Sequence, residues 1–124
     1  MIHIDYQDKR PLYEQLIEKI KDLIVRGILE QDSRLPSVRN LAIDLSINPN
    51  TIQRAYLELE RNGFIYTVKG RGNYVAAESY WKNSQEKELT LELSALTAKW
   101  KNLGMSKESL LSSASKMYDG EADV

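Results

Sequence analysis

The 124-residue chain contains no cysteine, one histidine and one phenylalanine. Without cysteine there are no disulfides, thiolate metal sites or cysteine nucleophiles. The single histidine, His3, has Asp5 as its near acidic neighbour and no second ligand at helical spacing, so no metal site is expected. No apolar run approaches the roughly 20 residues that a membrane span needs, and the amino end has neither a basic start nor an apolar signal core. A cytoplasmic protein without a membrane partner is the expectation. Neither sign of charge dominates, at a net −1. A phosphate-cradling glycine loop opening a helix is also missing, as is a nucleophile and base that could be assembled into an active site. No enzyme activity and no cofactor are therefore expected.

What is present is a chain of ordinary globular composition, 42% hydrophobic and 28% charged, which argues against general disorder. Its charge is uneven. From Ser33 to Gly72 six basic residues (Arg34, Arg39, Arg54, Arg61, Lys69, Arg71) stand against three acidic ones, a local +3, whereas Ala77 to Val124 carries six lysines and eight acids, a local −2. Basic character thus belongs to one segment. Mixed charges also solvate ordinary helices, so the asymmetry alone does not decide a partner.

The pattern of apolar residues predicts a helix from Pro11 to about Arg26, with Leu12, Leu16, Ile20, Leu23 and Ile24 on one stripe and Gly27 past its end. A His3-containing, strand-like segment precedes it. "ILEQDSRLPS" reads as a connector, and Ser37 as the N-cap of a second helix, "VRNLAIDL". After the turn "SINPN" a third helix starts with Asn48 as cap and Pro49 in its first position, where the missing N–H costs nothing. Ile52, Ala55, Tyr56 and Leu59 form its inward stripe, and Gly63 ends it. The opposite face carries Asn50, Gln53, Arg54, Leu57 and Arg61.

"FIYTVKGRGNYV" then predicts a β-hairpin with a Lys-Gly-Arg-Gly tip. Three helices followed by a hairpin is the order of a winged helix-turn-helix. Residues 77–124 read as two further helices. Leu89, Leu93, Leu96, Trp100 and Leu103 step by 4, 3, 4, 3, a heptad seam that predicts self-association, unless it packs on the first helix instead. Gly104 breaks the seam, Ser106 opens the last helix, and the acidic end "DGEADV" is expected to fray. The expected fold is mainly α with a small β-hairpin: a winged helix-turn-helix domain over 1–76, then a two-helix dimerisation tail over 77–124.

In such a fold the second helix of the motif enters the major groove. Asn and Gln amides pair with adenine, and arginine makes a forked pair with guanine or grips phosphate. That chemistry points to Asn50, Thr51, Gln53 and Arg54, with Arg39 reaching across from the preceding helix and Ser37 at that helix's start. Lys69, Gly70 and Arg71 at the hairpin tip would lie beside a phosphate or in a minor groove. The bland alternative is a solvated helix face, a surface salt bridge from Arg39 to Asp44 or Glu60, and a tip shaped only by its turn.

"RPLYEQLIEKIKDLIVRGIL" and "RLPSVRNLAIDLSINPNTIQRAYLELERNGFIYTVKGRGNYV" together resemble the DNA-binding domain of the GntR family of bacterial transcription regulators, from about Ile2 to Val75. The combination of Leu-Pro-Ser-x-Arg, Asn-x-x-Thr, Leu-Glu-x-x-Gly and Gly-Arg-Gly carries the resemblance. It implies that Arg39, Asn50, Thr51, Gln53, Arg54 and Gly70 with its neighbours contact a double-stranded operator. The short two-helix tail is similar to the YtrA-type subfamily, in which the tail makes the homodimer and the controlled genes often encode ABC transporters. A repressor binding an inverted repeat is the resulting expectation, with a winged-helix protein-interaction adaptor as the alternative. Any small-molecule effector is left open. Asn40 stands where many members have an acid, and the reading helix has Pro49 and Gln53 where many have arginine, so base preference does not carry over.

Overall fold

In the computed structural model, which describes residues 2–121, the first helix α1 runs from Leu12 to Val25 with Pro11 as its N-cap. Its buried stripe is Leu16, Ile20, Leu23 and Ile24, joined by Gln15, whose side-chain amide donates to the Arg10 carbonyl at 3.1 Å. The helix stops because Gly27 takes a left-handed φ of 75°, which lets the Ile28 N–H return to the Leu23 carbonyl at 2.9 Å. Residues 2–5 form no regular element, in place of the strand-like segment expected there, although Ile2 and Ile4 pack against the core.

Helix α2 spans Val38–Leu45, and Ser37 Oγ accepts from the Asn40 N–H at 3.1 Å. Helix α3 spans Pro49–Arg61, and Asn48 Oδ1 accepts from the Asn50 N–H at 2.8 Å. Both helices therefore begin where a side chain replaces a missing intrahelical acceptor. The core forms where α1 and α3 pack together, with α2 and the sheet closing it. Tyr56 lies fully inside this core, with its hydroxyl donating to the Pro36 carbonyl at 2.7 Å, and burial pushes its ionisation well above the usual tyrosine value.

Strands β1 (Ile65–Val68) and β2 (Gly72–Val75) are antiparallel, with Ile65 opposite Val75 and Val68 opposite Gly72. The expected connector has a second role. Its Leu35 N–H donates to the Asn73 carbonyl at 2.8 Å, and its Ser33 carbonyl accepts from the Val75 N–H at 3.0 Å, so residues 33–35 line the free edge of β2. This ties the chain just before α2 to the wing.

Contacts divide the chain into two units, residues 1–85 and residues 86–124. Helix α4, Glu78–Asn102, begins in the first unit, where Trp81 stacks on Phe64 at 5.4 Å between ring centroids. Gly63, at φ 85°, is needed twice there. It ends α3, and a Cβ on it would meet Tyr80 and Ser84 at 3.1–3.2 Å.

In the second unit, α5 runs from Lys107 to Tyr118 and is capped by Ser106, whose Oγ accepts from the Ser109 N–H at 3.1 Å. Gly104 makes the turn between the helices at φ 75°. Trp100 holds that turn, because its indole N–H reaches the Ser106 carbonyl and Ser109 Oγ, each at 3.1 Å. Leu103 lies just past the end of α4. The fraying expected of the acidic end concerns Asp119–Val124, of which residues 122–124 lie outside the described residues. No described helix is long and apolar enough to cross a membrane.

Candidate nucleic-acid interface

Three places in the first unit carry the candidate residues: the start of α2, the start and outer face of α3, and the wing tip. Arg39 is exposed in the first turn of α2. The salt bridge to Asp44 or Glu60 considered for it does not form, and it has no ion pair among the described residues. Ser37 spends its hydroxyl oxygen on the α2 cap and is half-buried, so its part is to fix where Arg39 stands.

Asn50 and Gln53 are exposed on α3, while Thr51 is half-buried beside them. Arg54 behaves differently from its neighbours. Its guanidinium lies 3.6 Å above the centre of the Tyr13 ring, which turns it toward α1. Such a cation–π contact leaves the guanidinium edges able to donate while limiting where they point. Sequence spacing placed Arg54 on the outward face but held no information about a ring 41 positions earlier.

The wing tip is a β-turn closed by the Arg71 N–H on the Val68 carbonyl at 2.9 Å, with Gly70 at a left-handed φ of 79°. Lys69, Gly70 and Arg71 are all exposed. At the wing base the Thr67 hydroxyl sits between the Glu60 carboxylate and Asn73 Oδ1, 2.8 Å away, so the end of α3 and the wing are held together by side chains. On the neighbouring rung Tyr66 stacks on Tyr74 and donates to Asp32 Oδ1 at 2.8 Å.

A further residue joins this surface that sequence reasoning had not assigned a role. Arg34 pairs with Tyr74 across the added strand, and its side chain lies over Gly72, where a Cβ would come within 3.0 Å of Arg34 Nε. The available signal was a basic residue just before Leu-Pro-Ser and a glycine in the wing, but only the strand pairing brings the two into contact.

The charges separate in the same way. Ion pairs engage Arg10 with Asp8 and Glu18, Arg26 with Asp22, and Arg61 with Glu58, whose carboxyl is held below its usual range by that hydrogen bond. Arg34, Arg39, Lys69 and Arg71 have no such partner among the described residues. Four cations flanking the wing and α2 are thus free for an external anion, next to a helix that presents two amides. No group of three or more potential ligand side chains among the described residues could hold a metal ion.

The sequence pattern of the bacterial regulatory proteins of the gntR family matches residues 12–75. The chain belongs to the GntR family. That makes it a DNA-binding transcription regulator with a winged helix-turn-helix, and not an enzyme. It is 49% identical over 76 residues to the HTH-type transcriptional repressor YtrA of Bacillus subtilis, a match spanning 61% of this chain and 58% of that protein. Among solved structures it is similar to YtrA from Sulfolobus acidocaldarius, a GntR-family transcription factor, with a TM-score of 0.65 and 30% identity over 96% of this chain and 97% of that one. It is also similar to the DNA-binding domain of AraR solved in complex with operator ORE1, with a TM-score of 0.53 and 28% identity over 60% of this chain and 90% of that one. The short helical tail therefore has a counterpart in a GntR structure of nearly the same length, and the winged helix has one in a protein bound to operator DNA.

Proposed function

We propose that this GntR-family chain is a homodimeric repressor acting in the cytoplasm, where it binds an inverted-repeat operator and blocks a promoter by occupying it. The observation that carries the reading is that Arg34, Arg39, Lys69 and Arg71 have no ion pair among the described residues while the amides of Asn50 and Gln53 are exposed on α3. Cations on phosphates set position, and amides on base edges set sequence preference. Ser37 and Thr51 support the two helix starts, Arg54 is held on Tyr13 as a positioning residue beside the amides, and Gly70 lets the wing tip approach closely.

The tail supplies the second half-site. Leu89, Leu93, Leu96 and Leu103 are all at least half exposed, a row of leucines that leaves apolar surface for a second copy to cover. Trp100 contributes by holding α5 against the turn. Resemblance to YtrA-type regulators supports ABC transporter genes as the controlled set.

The test is selection of DNA fragments from a random library by the full chain. A two-fold symmetric sequence is expected, with Gln53→Ala relaxing the preference at one position in each half and Arg39→Ala lowering affinity. Leu93→Glu combined with Leu96→Glu is expected to sediment as a monomer and to bind only weakly. Selection of no sequence, or of an asymmetric one by a chain that stays monomeric, would refute the proposal.

A further inference from the structure

Helix α3 meets its whole share of the core with Ile52, Ala55, Tyr56 and Leu59, each at most 1% exposed. Leu57 lies on the other side and is 56% exposed. With about 100° per residue, Leu57 stands roughly 40° around the helix from Gln53 and roughly 20° from Asn50, so the three form one row along the outer face. The side chains around that row are engaged elsewhere: Arg54 on Tyr13, Glu60 with Thr67, and Arg61 with Glu58. A lone exposed leucine is commonplace on protein surfaces. This one differs in its place, as the single branched aliphatic side chain in a row whose other members carry amides.

Thymine is the base that offers an apolar group, its C5-methyl, in the major groove. Amides of Asn and Gln pair with adenine, whose partner is thymine, so the whole row suits A·T pairs. We infer that Leu57 is a specificity-determining contact that packs on the C5-methyl of one thymine in each half-site. The four residues from Gln53 to Leu57 advance about 6 Å along the helix and base pairs are about 3.4 Å apart, so that thymine lies within about two pairs of the one that Gln53 meets. The inference rests on the operator-binding role proposed above, and it names a feature of the operator that the amides alone do not require.

The experiment uses the full chain and its selected operator, with each thymine replaced in turn by deoxyuridine. This removes the methyl and leaves every hydrogen-bonding group in place. For the unaltered protein, one thymine per half-site should show about a three- to sixfold loss of affinity on replacement. Leu57→Ala should bind the thymine and uracil versions of that operator equally, with an unchanged melting temperature because the residue is outside the core. Insensitivity of the unaltered protein to every replacement would overturn the inference, and so would an undiminished loss in Leu57→Ala. Failure to select any operator would instead overturn the proposed function beneath it.

Discussion

Raising KCl from about 50 to about 200 mM should weaken operator binding about ten-thousand-fold. The magnitude comes from the cations that the fold leaves without internal partners. Arg10, Arg26 and Arg61 are neutralised by carboxylates and Arg54 is held on the Tyr13 ring; of the cations on α2, the wing and the segment paired with it, Arg34, Arg39, Lys69 and Arg71 have no ion pair among the described residues. Four per chain is about eight per dimer, and each phosphate neutralised contributes about −0.9 to the slope of log K against log salt. A slope of about −7 follows, and a fourfold rise in salt then costs about four orders of magnitude. Fluorescence anisotropy of a labelled operator at four KCl concentrations measures it. Arg71→Gln removes one contact per half-site and should make the slope shallower by about two. A slope no steeper than about −3 for the unaltered protein would show that these cations do not meet phosphates, and would favour an apolar protein partner instead.

Two predictions concern the scaffold. Gly72→Ala places a methyl 3.0 Å from Arg34 Nε at a φ of 129°, so it should lower stability by about 1–3 kcal/mol in a thermal melt and weaken DNA binding as Arg34 is displaced. If Arg34→Ala did not recover part of that stability, the clash would not be the cause. Tyr56→Phe removes the hydrogen bond to Pro36 and should cost about 1 kcal/mol near neutral pH. Because the folded Tyr56 holds its proton above the unfolded value near 10, its contribution is fully present below that pH and is lost as pH rises through the folded value. The alkaline fall in melting temperature should therefore be shallower in Tyr56→Phe, and identical limbs in the two proteins would contradict this account.

Much of this molecule was legible from local chemistry. Pro11, Ser37 with Asn40, and Asn48 with Pro49 mark helix starts through groups at most three residues apart, and Gly63 and Gly104 end helices through their own backbone freedom. The inward stripe of α3 and the hairpin with its Lys69–Arg71 tip follow from periodicities of 3.6 and 2, which sequence spacing carries directly. These were enough to place Arg39, Asn50 and Gln53 on elements that suit DNA.

Only tertiary structure decided which charges are free and what the connector does. Residues 33–35 offer three positions and a following proline, too little to announce a strand, and they pair because β2 presents an open edge 40 residues later in the chain. Arg54 and Arg61 share the outward face with Asn50 in sequence, yet one is drawn to Tyr13 and the other to Glu58, whereas Arg34 becomes part of the wing by lying on Gly72. Helix and turn signals act over one turn of chain and so are written locally. The partner of a long, flexible cation depends on what packing brings within about 4 Å, and that is settled only when α1, α3 and the wing come together.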